Sequence, residues 1–195
     1  MVQAVNHETG RTVAQNYYCG RKESEVPTVR KLLETGSLSS GKISLDALHC
    51  KPQTLEIIAQ AKGKYLVGLK ENQKKLMKAV RKTSENQANL WKETKNNKEH
   101  GRIERRSYEF YDILETPKDE RWKNGELRTV IKVIREREEL KSGKKSVETS
   151  YYLSNEVGKY EELAQAIRRH WQVETNNYIR DVTLREDRMR SKKRV

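Results

Sequence analysis

The chain has 195 residues, room for one ordinary domain with its own core and short for two. Its 41 Lys and Arg against 28 Asp and Glu leave a net charge of +13, so a polyanionic partner, most often nucleic acid, is expected. No run approaches the 18 apolar residues of a membrane span, the opening residues lack a secretion-signal pattern, and two cysteines cannot frame a disulfide scaffold. These features set the expectation of a cytoplasmic protein without a membrane partner.

The first twenty residues read as a β-hairpin, with His7-Glu8-Thr9-Gly10 as its turn. An amphipathic helix follows, with Val26, Val29, Leu32 and Leu33 on one face and Gly36 at its end. Residues 42–48 read as a short buried strand with Asp46 near its carboxyl end, and 54–61 as a helix stopped by Gly63. Residues 65–69 give a second buried strand, so strands and helices alternate as in an α/β sheet with crossover connections. From Asn72 to about Trp91 the chain reads as a basic helix, and 92–101 as a polar loop. Residues 102–113, 127–138 and 146–154 then read as strands with Gly125 and Gly143 at turns, a β-rich insertion in a single domain spanning 1–195. A long helix from about Lys159 to Asp181 and a basic tail from Arg188 complete the chain.

Two carboxylates stand out. Asp46 lies at a strand end, where side chains of an open α/β sheet converge on a site. Glu174 lies among the apolar positions of the last helix, where a carboxylate is costly unless paired or bound to metal. Carboxylates from separate elements can hold two Mg²⁺ ions, which activate the attacking oxygen of a phosphodiester reaction and stabilise the leaving one. The residues alone leave other readings open: Asp46 as a turn former or helix cap, and Glu174 as a partner of Arg168 or Arg169. A basic RNA- or ribosome-associated protein also fits the charge.

The ordered blocks are more specific. Ile43-Ser44-Leu45-Asp46-Ala47-Leu48-His49-Cys50, Tyr65-Leu66-Val67-Gly68-Leu69-Lys70-Glu71-Asn72-Gln73, and His100-Gly101-Arg102-Ile103-Glu104-Arg105-Arg106 come first. Tyr151-Tyr152-Leu153-Ser154 and Ile167-Arg168-Arg169-His170-Trp171-Gln172-Val173-Glu174 follow, with Asp181 to Asp187 behind them. In this order they resemble the DDE transposases of bacterial insertion sequences, in the family that includes the H-repeat-associated proteins. The resemblance implies a ribonuclease-H-like mixed sheet with flanking helices and a β-rich insertion at about 102–154. It also implies DNA strand cleavage and strand transfer by a two-metal mechanism with Mg²⁺, or Mn²⁺ as substitute. Asp46 and Glu174 would be the second and third acidic metal ligands. Lys70, Asn72, Gln73, Arg102, His170 and Arg180 are the candidate DNA contacts. Double-stranded DNA, as element ends and target, and a homo-oligomer assembled on it are the implied partners.

The pattern also breaks. The family's first catalytic Asp sits in an Asp-Gly-Lys-like segment ahead of the hairpin, and this sequence opens in the hairpin itself. A related signature has Arg at the position of His170 and Lys at that of Asp181. The expectation is an amino-terminally truncated transposase, inactive alone; the alternative is a remnant that only binds DNA or the full-length transposase. Smaller groups have plain expectations: Cys50 packs in the core, Trp171 faces inward, Trp122 sits in a polar turn, and Arg102, Arg105 and Arg106 face solvent.

Overall fold

The computed structural model describes residues 2–16, 22–35, 41–99, 101–113 and 119–183, with backbone alone at 22–24 and 172–183. The hairpin comprises β1 (Val2–Val5) and β2 (Thr12–Asn16), paired antiparallel as a two-stranded sheet of its own. Its turn is held by Asn6, whose side-chain oxygen accepts the Glu8 and Thr9 amides, while Gly10 takes the left-handed backbone. Helix α1 (Lys22–Glu34) buries Val29, Leu32 and Leu33; the expected stop at Gly36 lies outside the described residues.

Six strands form the main sheet: β3 (Lys42–Leu45), β4 (Lys64–Leu69), β5 (Trp91–Glu99), β6 (Arg102–Asp112), β7 (Thr129–Glu139) and β8 (Lys145–Ser154). Their spatial order is β3-β4-β8-β7-β6-β5. Only β3 and β4 are parallel among the sheet's pairs, joined by α2 (Pro52–Gln60) as crossover helix. The other pairs are antiparallel, so β5 to β8 form a meander attached to β4 through β8.

Helices cover both faces. Leu33 of α1, Leu55 and Ile58 of α2, and Leu76, Met77 and Val80 of α3 (Lys74–Asn86) pack on one face, against Val67, Leu69, Val130 and Leu153. On the other face Leu163 and Ile167 of α4 (Tyr160–Thr183) meet Leu66, Phe110, Ile131 and Tyr152. Each fully buried side chain of this kind contributes about 1.5–3 kcal/mol. Two hydrogen bonds hold β4 to the end of β8: the Asn155 side-chain oxygen accepts the Tyr65 amide, and the Ser154 hydroxyl donates to the Tyr65 carbonyl.

The structure corrects four expectations. The helix expected to reach Trp91 ends at Asn86, and the loop expected at 92–101 is largely β5, an edge strand. In β5, Trp91, Glu93, Lys95 and Asn97 are half-buried between exposed neighbours, so the two-residue period runs through polar side chains and leaves no hydrophobic signal. Its lysines suit an edge that must not recruit a further strand. The strand expected at 42–48 stops at Leu45, because Asp46 caps a 3-10 turn over Ala47–His49. Trp122, expected in a polar turn, is buried in a 3-10 helix over Glu120–Gly125 that packs on α2.

Candidate functional site

Asp46 leaves β3 in extended backbone, and one carboxylate oxygen accepts the Ala47 amide. Its side chain is 53% exposed, so the carboxylate is available at the sheet's carboxyl-terminal edge. The cap and the candidate ligand are therefore the same group. Gly68 of β4 makes room for this turn, since a Cβ there would lie 3.2 Å from the Ala47 nitrogen.

The segment after β4 braces the turn. The Asn72 side-chain amide donates to the Ala47 carbonyl at 2.9 Å, and that of Gln73 to the Cys50 carbonyl at 3.0 Å. Lys70 extends its ammonium to 4.0 Å from the Asp46 carboxylate, and both groups are more than half exposed. Asn72 and Gln73 thus hold the Asp46 turn, while Lys70 alone of the three places a charge beside it. Behind the turn Cys50 is fully buried, and burial pushes its thiol up to about 12. His49, also buried, approaches Glu25 at 3.3 Å; burial lowers its pKa and Glu25 partly opposes that.

Helix α4 runs alongside β3 in the same direction. Lys42, at the start of β3, meets Glu162 at 3.2 Å. Two residues on, the Ser44 hydroxyl lies 2.9 Å from His170 Nδ1 and 2.9 Å from His7 Nε2, joining strand, helix and hairpin. Asp46 is the next residue on the same side of β3. Position 174 is one turn beyond His170; a helical turn rises about 5.4 Å and two strand residues about 6.6 Å, so the two keep pace. The side chains of Glu174 and Arg180 lie outside the described residues. Burial lowers the pKa of both histidines; His170 and Arg169 lower that of His7 further, while Asp46 raises that of His170.

Arg102 stands apart from this cluster, exposed at the start of β6. It belongs to a different group, in which Arg106, Arg135 and Arg137 all contact the buried carboxylate of Glu104. Neither Glu104 nor the His7–Ser44–His170 link was legible as a site. The only sequence signal for the first was Arg102, Glu104 and Arg106 at two-residue spacing. For the second there was none, since Ser44 meets partners 37 and 126 positions away.

An α/β protein with a mixed six-stranded sheet, helices on both faces and an acidic side chain at a strand end has the ribonuclease-H-like architecture. A family model described as "Transposase DDE domain" matches residues 1–195, and the chain belongs to that family. Among curated relatives, the protein named "Putative transposase YncI" of Escherichia coli O157:H7 is 29% identical over 97% of this chain and 50% of its own length. The "H repeat-associated putative transposase YhhI" of Escherichia coli K12 is 30% identical over 85% of this chain and 46% of its own length. The chain thus spans about half the length of these relatives. No solved structure matches significantly.

A hard divalent cation suits the donor at the centre of this site. Asp46 offers an exposed carboxylate with oxygen donors, while one ring nitrogen each of His7 and His170 is engaged with Ser44. Among the described residues no three His, Cys, Asp or Glu groups come together as a metal site. No helix among them is long and apolar enough to cross a membrane.

Proposed function

We propose that this chain contributes two of the acidic groups of a transposase site that cleaves DNA strands and joins them to target DNA. Asp46 and Glu174 would hold Mg²⁺, or Mn²⁺ in its place. Such ions activate the attacking oxygen and stabilise the leaving one. The chain's own part is positional: the cap at Ala47 and the Asn72 and Gln73 braces fix Asp46, and Ser44 ties α4 to β3 through His170.

One observation carries this reading: Ser44 meets His170, and Asp46 lies two residues past Ser44 while position 174 lies one turn past His170. Lys70, beside Asp46, fits a phosphate contact, and Arg180 lies further along α4. The first acidic group would come from a strand paired to β3, whose outer edge is free of a neighbour in the described sheet. The stretch 102–154 would then be an insertion between the second and third carboxylates. Double-stranded DNA is the partner that the charge and the family support, and assembly into an oligomer on DNA belongs to the same reading.

The second reading, a chain that binds DNA or the complete transposase without cutting, needs only the net charge of +13. Supercoiled-plasmid nicking in Mg²⁺ or Mn²⁺ separates the two. The 195-residue chain should leave plasmid intact. Joined to the segment encoded immediately upstream, it should nick, and either Asp46→Ala or Glu174→Ala should abolish the nicking. Nicking that survives both substitutions contradicts the assignment, and an extended chain that binds but never cuts supports the second reading.

A further inference from the structure

Beyond Asp46, on the same face of the sheet, α4 and the far halves of β5, β6 and β7 enclose a cleft of about 470 Å³. Helix α4 divides it from the acidic site: His170 turns toward Ser44, whereas Arg168 and Trp171 line the cleft. The strand register stacks cations on this face of the sheet, Arg106 and Arg135 among them lining the cleft. Lys95, Arg106 and Arg135 stand directly opposite one another on three adjacent strands, with Arg137 in the next row. Like charges directly opposite in a sheet repel, so this row is unfavourable by itself.

Glu104 offsets part of the repulsion. Its buried carboxylate takes Arg106, Arg135 at 2.9 Å and Arg137 at 3.1 Å, and Arg135 also lies 4.5 Å above the Trp171 ring. One carboxylate facing three guanidinium groups fixes their directions and leaves a surplus of positive charge. Lys95 has its own partner in Glu93 at 3.0 Å. At the rim, the side chains of Arg102 and Arg168 are exposed and make no ion pair or hydrogen bond among the described residues. A purely solvated surface has no need of a buried glutamate aligning arginines within a concave site. Fixed guanidinium groups suit phosphate oxygens, which they bind in paired geometry. Trp171 does not offer a base-stacking platform, because Arg135 covers one ring face and its indole N–H donates to the Tyr152 hydroxyl at 2.6 Å.

We propose that this cleft is a second DNA contact, gripping the phosphate backbone of the strand that continues past the Asp46 site across α4. Arg102 and Arg168 are the outer contacts, and Arg106 and Arg135, ordered by Glu104, form the floor. The proposal rests on the reading of the chain as one that acts on DNA.

The test is fluorescence-anisotropy binding of the 195-residue chain to a 30-base-pair duplex over a range of salt concentrations. The double variant Arg102→Ala/Arg168→Ala loses two exposed charges, and Lys31→Ala/Lys78→Ala loses two exposed charges on α1 and α3. The first should bind roughly tenfold more weakly at 0.1 M salt, with the slope of log affinity on log salt shallower by about 1.8, the value for two phosphate contacts. Arg102→Lys/Arg168→Lys should recover most of that slope, and equal urea midpoints establish that the fold is intact. The lysine control should change affinity by less than about twofold. A parent-like slope in the arginine variant, or equal losses in both doubles, overturns the cleft and leaves DNA binding standing. A parent chain with no salt-dependent binding overturns both the cleft and the DNA reading.

Discussion

At the residue scale, the cap formed by Asp46 leaves room for the second role proposed for it. One oxygen closes the 3-10 turn and the carboxylate remains more than half exposed, so the local cap and a metal ligand are compatible. Asp46→Asn keeps a side-chain acceptor for the Ala47 amide and should change stability by less than about 1 kcal/mol in urea melts. Gly68→Ala should cost more than its small volume suggests, because the added Cβ meets backbone at 3.2 Å and must push the Asp46 turn away. The expected readout is a shift in the amide resonances of residues 46–50. The histidines add a pH dependence whose sign follows from their depressed pKa values. Unfolded His7, His49 and His170 take up protons near pH 6.5, while burial makes the folded forms resist. Their stabilisation is present above about pH 6.5 and lost as the pH falls through the folded values. The urea midpoint should therefore drop between pH 7 and 5.5, and the drop should shrink in His7→Gln/His170→Gln, with His49 supplying the remainder. A midpoint constant over that range contradicts the burial of these rings.

At the element scale, what could be read from sequence depended on whether the pattern was carried by apolar side chains. Strands β3 and β4 and helices α1, α2 and α4 announce themselves through apolar residues at two-residue or three- and four-residue steps. Strand β5 does not, because Lys92, Glu93, Thr94, Lys95, Asn96 and Asn97 alternate in burial without alternating in polarity. The 3-10 helix at Glu120–Gly125 is a similar case: its sequence is polar except for Trp122, and only the fold shows that this ring fills the gap beside α2. Two variants test that joint. Trp122→Ala removes a large side chain that is 2% exposed and should destabilise by about 3–5 kcal/mol. Tyr65→Phe removes the hydroxyl that donates to the Gly125 carbonyl at 2.6 Å and should cost about 1–3 kcal/mol, because the carbonyl is left buried and unpaired. Denaturant titration measures both, and a loss under 1 kcal/mol for Trp122→Ala would show that this segment does not belong to the core.

At the scale of the whole molecule, the resemblance of ordered blocks to DDE transposases and the match of the family model over 1–195 agree, and the sheet is the mixed α/β one expected. The site is only partly legible in sequence because its members are assembled from the two ends of the chain. Asp46 could be singled out from its strand end, but nothing local relates it to the hairpin turn or to a helix more than 120 residues later. Iron-mediated cleavage tests the central claim most directly, with Fe²⁺ replacing Mg²⁺ and ascorbate with peroxide generating radicals that cut the polypeptide beside the bound ion. Two zones of cutting are expected, around residue 46 and around residue 174, both suppressed by excess Mg²⁺ and both lost in Asp46→Asn and in Glu174→Gln. Cutting at only one of these zones, or two zones that persist in either variant, would contradict a shared metal site built from β3 and α4.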